Sequence, residues 1–254
     1  MGGINLKQNI YDNPIFFEGY STKRETGLTI NDFVEQPAIK SLLPDLEGKT
    51  VLDIGCGIGA NAKYCAENGA TKVIGVDISS NMINKAKTDH PHEKVEYICA
   101  PIEDLELDDQ TFDLIISSLV FHYVEDYGKL IEKVYGLLKD NGQLIFSTEH
   151  PISTARKQFN RQMKNWIRDE EGNPLHWAID DYQEEGKREF HWLVDGVIIY
   201  HRTLSTLINT LVEKGLVIEK IIEPQSTPEG LEKVPLLIQE QRRPAFIVIK
   251  ARKS

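Results

Sequence analysis

Two carboxylates and three glycines are the first groups in the chain whose types and spacing can do chemistry. In Thr50-Val-Leu-Asp-Ile-Gly-Cys-Gly-Ile-Gly59 an apolar run breaks into alternating glycines, and Asp53 stands two residues before the first of them. Gly55, Gly57 and Gly59, with Cys56 between them, let backbone N–H groups approach a ligand that side chains would hold away. A loop meant only for a pyrophosphate would gain nothing from a fixed negative charge beside it, so Asp53 favours a ligand carrying an ammonium or another cation. Eighteen residues after Gly59, Thr71-Lys-Val-Ile-Gly-Val-Asp77 ends in a second acid. An acid at the tip of a second strand is placed to accept both hydroxyls of a ribose.

Strands alternating with helices must position these groups. Val51, Leu52 and Ile54 suit a strand covered on both faces, and the run ending at Asp77 reads as its neighbour. A helix from Ala60 to Asn68, closed by Gly69, aims its free N-terminal amides at the glycine loop. Ser79 or Ser80 caps the next helix, with Met82, Ile83 and Ala86 on one face. Val95 to Cys99 and Phe112 to Ser118 are the third and fourth strands. A helix follows from Asp126 with Leu130, Ile131, Val134, Leu137 and Leu138 at helical spacing; Asn141-Gly142 ends it, and Gln143 to Thr148 is the fifth strand. Residues 31–43 read as a helix in which Pro37 opens a fresh turn. Further on, Leu204, Leu207, Ile208, Leu211 and Val212 form one face of a helix stopped by Gly215. Leu216 to Ile222 and Ala245 to Lys250 are then two strands joined without a helix pattern.

The first acid, the alternating glycines and the second acid at this spacing resemble the class I S-adenosylmethionine-dependent methyltransferases of small-molecule type, in the broad group often compared with quinone-biosynthesis C-methyltransferases. The resemblance implies an α/β, Rossmann-like, seven-stranded sheet with its last strand antiparallel, helices on both faces and an inserted substrate cap. It implies S-adenosyl-L-methionine as cofactor, held by Asp53, Gly55, Cys56, Gly57 and Gly59 and by the ribose acid Asp77, with Ile78 and Met82 in the neighbourhood of the adenine. The stretch Ala100-Pro-Ile-Glu-Asp-Leu105 corresponds to the loop over the adenine edge. Pro101 stands there in place of the family's usual acid, so contact would pass through the backbone of Ile102, with Glu103 as a second candidate. Ser117 opens the stretch to Tyr123 where this fold presents residues to the methyl group. The wording Ser117-Ser-Leu-Val-Phe-His-Tyr123 and a long aromatic insertion depart from the quinone subgroup, so its substrate is not carried over.

A sulfonium methyl is already activated, so the protein mainly has to align a nucleophile and exclude water. Proton removal is needed only for an acceptor that still holds its proton. His122 is the first candidate base, His150 the second and His201 a distant third, each with a packed, hydrogen-bonded histidine as the alternative; Tyr123 and Tyr200 could position a substrate. Residues 1–44 are expected to form an arm and helix acting as a lid, with Tyr20 and Arg24 over the cofactor. Residues 45–150 form the cofactor-binding core, 151–200 an aromatic-rich cap, and 201–254 the last helix and strands of the same core. Trp166, Trp177 and Trp192 fall in the cap with Phe159, Tyr182, Phe190 and Tyr200. These aromatics would either cover a substrate or staple a surface hairpin to the domain.

Composition bounds the partners. A chain of 254 residues, 41% hydrophobic, can bury one sizeable core. Its net charge of −10 argues against a nucleic-acid partner, as does the lack of an Asp/Asn-Pro-Pro-aromatic stretch after the fourth strand. Three unpaired cysteines suit a reducing compartment, and no cluster of His, Asp and Glu reads as a metal site. With no apolar run of membrane-spanning length and no signal region, the expectation is a cytoplasmic protein with a small-molecule substrate, a monomer or homodimer, touching neither membrane nor nucleic acid. A nicotinamide dehydrogenase would space its glycines G-x-G-x-x-G, unlike this chain. A non-catalytic S-adenosylmethionine-binding regulator would carry the same pocket.

Overall fold

The computed structural model describes residues 7–157 and 165–254. Five parallel strands form the middle of one sheet: β1 (Thr50–Ile54), β2 (Lys72–Asp77), β3 (Val95–Cys99), β4 (Phe112–Ser118) and β5 (Leu138–Glu149). Their order is β5-β4-β1-β2-β3, so the chain reverses direction across the sheet between β1 and β4. Two late strands, β10 (Leu216–Ile222) and β11 (Phe246–Lys253), extend the β5 edge, and β11 runs antiparallel to both of its neighbours. The seven-stranded sheet with one antiparallel strand is the fold expected from the sequence. A break in strand order leaves a crevice beyond the carboxyl ends of β1 and β4, where ligands of such sheets bind.

Both faces are covered. Helices α2 (Gln36–Leu42), α3 (Ala60–Glu67) and α4 (Ser80–Asp89) bury Ile39, Cys65 and Ile83 against Val51, Leu114 and Val248. On the other face α5 (Tyr127–Leu137) and α7 (Leu204–Glu213) bury Leu130, Val134 and Leu211 against Leu52, Ile115 and Ile249. Strands buried on both faces explain the near-continuous apolar runs of β1 and β4. Ser79, not Ser80, caps α4, its side chain accepting from the Met82 N–H at 3.1 Å.

Three expectations need correction. Helix α5 stops at Leu137, and Leu138 already pairs with Phe112, so Asn141-Gly142 lies inside a long β5 and not at a helix end. Asn141 takes φ 62° there, where asparagine tolerates the left-handed conformation. The β10–β11 connection is helical: α8 (Pro228–Lys233), capped by Thr227, and a 3-10 turn at Pro235–Gln241. Before α2, residues Asn31–Glu35 form a π-helical turn in place of an α-helix.

The described part of the arm begins at residue 7. Its helix α1 (Pro14–Glu25), capped by Asn13, buries Phe16 against Phe190, Val197 and Ile199. The stretch from 151 to 200 contains a one-turn helix α6 (Pro151–Thr154) and two hairpins. They are β6 (Trp166–Arg168) with β7 (Pro174–Trp177), and β8 (Gly186–Trp192) with β9 (Val194–His201). Phe159 lies outside the described residues.

Candidate active site

β1 ends in a turn, residues 55–59, in which four of the five amides are spent within the protein. The N–H groups of Gly55 and Cys56 donate to Val76 O at 2.7 and 2.9 Å, Gly57 N donates to Asp77 Oδ2 at 2.9 Å, and Gly59 N donates to Cys56 O at 2.9 Å. The glycines therefore contribute absent side chains more than free amides. A Cβ on Gly55 would meet Val120 Cγ2 at 2.1 Å and one on Gly59 the Tyr97 hydroxyl at 2.3 Å, whereas one on Gly57 meets nothing within 4 Å. All three have positive φ, at 68°, 84° and 53° for Gly55, Gly59 and Gly57. Gly59 at the start of α3 has no side chain to cap it, and Ala60 and Asn61 of its first turn line the same crevice.

Asp77, at the tip of β2, is fixed by two backbone donors, Gly57 N on Oδ2 and Ser79 N at 2.8 Å on Oδ1. Burial raises its pKa above the ordinary carboxylate range, against the pull of those two N–H groups. Asp53 is 1% exposed; burial, then the charges of Asp77 and Glu35, push its pKa up to about 7, with the Ala62 N–H pulling it down. Asp53 Oδ2 has no hydrogen-bond partner among the described residues. Asp53 is buried beside the turn and is not among the residues that line the crevice.

A cleft of about 2330 Å³ opens over the turn, larger than a single small ligand needs and adequate for two side by side. Of the groups singled out in the sequence, Gly55, Cys56, Gly57, Asp77, Ile78 and Met82 line it. Ile102 and Glu103 also reach it, and so do Tyr20, Arg24, His122 and Tyr123. Gly59, Ser117 and His150 do not. Ser117 is buried and donates to Ile54 O at 2.9 Å, tying β4 to β1. His150 caps α6 and faces outward to Glu223 Oε1 at 2.9 Å; burial lowers its pKa despite that carboxylate. His201 is turned inward between Thr154 Oγ1 at 2.7 Å and Tyr182 O at 2.9 Å.

The arm roofs the cleft. Gln8 exchanges two hydrogen bonds with Ile198 of β9, at 3.0 and 2.6 Å, and Asp12 accepts from Ser79 Oγ at 2.6 Å and Asn81 N at 3.0 Å. Arg24, bonded to Thr29 Oγ1 at 3.0 Å and 3.3 Å from Asp32 Oδ1, fixes the end of α1 beside the opening. Tyr11 stands edge-on to Tyr20 at 5.1 Å and to Tyr123 at 6.3 Å. The adenine-side loop is held too, with Lys7 2.6 Å from Asp104 and 3.6 Å from Glu103.

Beyond β4 the backbone is bent into an unusual path. Leu119 takes φ 58°, a conformation that a branched residue adopts only when its surroundings enforce it. Ser147 enforces it, since Leu119 N donates to both Ser147 O at 3.2 Å and Ser147 Oγ at 3.0 Å. The next turn, Phe121–Tyr123, presents His122 and Tyr123 to the cleft. Arg202, 8% exposed, clamps that turn by donating to Phe121 O, Val124 O and Glu125 O. Glu35, fully buried, accepts from Ser147 Oγ and Ser118 Oγ and from Gln36 Nε2. Asp12, Glu35 and Arg202 escape sequence reasoning, because each acts on a partner more than 60 residues away. Only the Ile-Tyr-Asp-Asn-Pro run, with Asn13 before Pro14, hints that the arm begins with an ordered cap.

The geometry fits an adenosyl amino acid: a fixed carboxylate at the tip of β2, an open face at Gly57 and an apolar slot at Met82 and Ile102. Residues 52–146 match the family model described as "Methyltransferase domain". An S-adenosylmethionine-dependent methyltransferase from Mesorhizobium loti is 37% identical in sequence, superposes with a TM-score of 0.79, and is matched over 86% of this chain and 97% of its own. An uncharacterized protein of Haemophilus influenzae is 37% identical over 98% of this chain and 99% of its own length. A ubiquinone biosynthesis O-methyltransferase of Coxiella burnetii is 39% identical over 105 residues, 41% of this chain and 44% of that protein. Taken with the sheet order and the glycine turn, these likenesses establish that the chain belongs to the S-adenosylmethionine-dependent methyltransferases, with S-adenosylmethionine as its cofactor.

Proposed function

We propose that the acceptor is a small molecule, methylated in the chamber between the glycine turn, the arm and the Phe121–Tyr123 turn. The observation that carries this reading is the roof. Gln8 ties the arm to β9 and Asp12 ties it to the start of α4, so access to the reacting end is through a chamber and not along an open groove. A nucleic acid would need a long cationic track, and the net charge of −10 disfavours one. The similarity to the ubiquinone O-methyltransferase of Coxiella burnetii is confined to less than half of either chain, so its acceptor is not adopted.

In this reading the cofactor supplies a methyl group already activated on a sulfonium. Asp77 accepts from the ribose hydroxyls while Gly57 and Ser79 keep its carboxylate from swinging away. The bare Gly57 admits the amino-acid end, Met82 and Ile102 flank the adenine, and Glu103, tied to Lys7, closes that edge. The arm's Tyr11 and Tyr20, with Tyr123, keep water from the reacting end. Cys56, Cys65 and Cys99 are free thiols, which supports a reducing, cytoplasmic setting. Incubating the protein with S-adenosylmethionine and fractionated metabolites, and measuring S-adenosylhomocysteine, tests the proposal. Turnover with a small-metabolite fraction is expected; turnover only with nucleic-acid or protein fractions would overturn it.

A further inference from the structure

Where the π-helical turn Asn31–Glu35 passes into α2, two consecutive residues reach one hydroxyl at the end of β4. Ser118 Oγ donates to Glu35 Oε1 at 2.8 Å and accepts from Gln36 Nε2 at 3.2 Å. Gln36 Nε2 also donates to Glu35 Oε2 at 2.8 Å, and Ser147 Oγ, which accepts from Leu119 N, donates to Glu35 Oε1. Every bond in the set runs toward the carboxylate, which as an anion only accepts. Both hydrogens of the Gln36 amide are therefore spent on Glu35 and Ser118, and these partners fix the direction of the amide, nitrogen inward. Its carbonyl oxygen Oε1 receives no donor among the described residues, and Gln36, partly exposed, lines the cleft together with Ser118 and Leu119. Ser118 follows Ser117, the register partner of Ile54, and α2 covers the same face of the sheet as α3, so the amide stands on the side to which the glycine turn leads.

We infer that Gln36 Oε1 receives the α-ammonium of S-adenosylmethionine and that Glu35 is the positioning residue that turns this oxygen toward it. The inference deepens the cofactor placement proposed above, with the amino-acid end at Gly57. An oxygen that only accepts discriminates between the two ends of an amino acid, because the ammonium only donates, whereas the carboxylate only accepts and is repelled there. The charges around the amide favour a cation over a neutral donor. Glu35 is fully buried and Asp53 is 1% exposed, and they are close enough for the charge of Glu35 to act on Asp53. Arg24, the cation that acts on Glu35, is itself 3.3 Å from Asp32, and Lys40 is turned to the Tyr64 ring, its Nζ 4.8 Å from the centroid. Burial raises the Glu35 pKa, against the hydrogen bonds from Ser147, Ser118 and Gln36 and the charge of Arg24. A protonated Glu35 would donate through Oε2 to Gln36 Oε1 and turn the carbonyl away from the ligand, so a bound ammonium and an ionised Glu35 support each other.

Binding alone tests this, with no methyl acceptor needed. Three ligands separate the ends of the amino acid in calorimetric titrations: S-adenosylhomocysteine, its analogue with hydrogen in place of the α-amino group, and its decarboxylated analogue. Gln36→Ala, and Gln36→Met, which keeps the length of the side chain, should bind S-adenosylhomocysteine and the decarboxylated analogue about tenfold or more weakly than the wild type, the worth of one hydrogen bond to a charged group, and the amine-free analogue within about twofold. Glu35→Gln imitates the protonated acid: its amide can donate to Gln36 Oε1, so it should lose the same amine-dependent share of affinity while the amine-free analogue binds as before. An equal loss for all three ligands, a loss confined to the two that carry a carboxylate, or no loss in either Gln36 variant would overturn the ammonium contact. Wild-type affinities in Glu35→Gln would overturn the positioning role. Failure of the cofactor placement itself is read separately, as unchanged affinity in Asp77→Ala.

Discussion

Gly57 donates its backbone N–H to Asp77 Oδ2 at 2.9 Å, which makes the glycine turn after β1 and the acid at the end of β2 a single rigid unit. With Ser79 N on the other oxygen, two of about four acceptor sites on Asp77 are used and about two are left for a ligand. Loss of a charged, preorganised acceptor costs about 1.5–3 kcal/mol, one to two decades in affinity. Calorimetric titration of Asp77→Ala with S-adenosylmethionine should show that loss. Unchanged affinity would mean that Asp77 serves the turn and not the ribose.

The two outer glycines and the middle one should fail differently. At Gly55 a Cβ would be driven into Val120 at 2.1 Å, so Gly55→Ala is expected to displace the turn beyond β4 and lower the unfolding temperature. At Gly57 nothing in the protein lies within 4 Å, so Gly57→Ala bears only the left-handed backbone cost of about 1–2 kcal/mol. Its main effect should be at least a tenfold loss of cofactor affinity. Equal affinity in Gly57→Ala and wild type would place the cofactor elsewhere in the cleft.

What the sequence discloses and what it hides follow from the range of the forces involved. The bounds of β3, β4 and β10 are readable because apolar runs between turn residues are local signals. The acid and glycine pattern is readable because a loop hugging a ligand tolerates few alternatives. The end of α5 is misleading because Leu138 continues the helical spacing, yet its partner is Phe112 on a neighbouring strand. The helical β10–β11 connection does carry a local signal, since Thr227-Pro228 is a cap followed by proline at the first helical position, but no apolar periodicity accompanies it. Glu35 is invisible for a different cause: its partners Ser118 and Ser147 become neighbours only when β4 and β5 are side by side. The antiparallel placement of β11 comes from family resemblance, since no local pattern separates it from a parallel strand.

Asp53 makes a statement about pH. Its carboxyl has a pKa of about 7 in the fold against an ordinary 3.8, so the folded protein holds a proton over a range in which the unfolded chain has lost it. The associated stability is present below about pH 4, falls as the pH rises towards 7, and is absent above it. Full ionisation costs the fold on the order of 4 kcal/mol. An asparagine side chain cannot ionise and keeps the shape, so the advantage of Asp53→Asn over wild type in the cofactor-free protein should widen by roughly 2–3 kcal/mol between pH 5 and pH 8. Thermal unfolding at several pH values measures it. A gap that stays constant would show that Asp53 is ionised throughout.

The three tryptophans of the insertion should separate into three behaviours, because the structure gives each a different neighbour. Trp166 is 6% exposed, stands edge-on to Trp177 at 5.5 Å, has the Arg242 guanidinium 4.7 Å from its ring, and does not reach the cleft. Removing it should cost stability, roughly 3 kcal/mol, with acceptor kinetics intact. Trp177 lines the cleft, donates to Ile152 O at 3.1 Å and lies under Arg243. Trp177→Ala should free that guanidinium and raise the acceptor KM by about tenfold, a cation–π and packing loss of about 1–2 kcal/mol, while cofactor affinity holds. Trp192 lines the cleft from β8 and meets Phe16 edge-on at 4.9 Å and Tyr20 at 6.2 Å, so it joins the insertion to the arm. Trp192→Ala should loosen the roof and weaken cofactor and acceptor together. Steady-state kinetics with an acceptor from the metabolite screen, beside cofactor titrations and melting curves, resolve the three. If all three variants changed only the melting temperature, the insertion would be a staple on the domain and would take no part in choosing the acceptor.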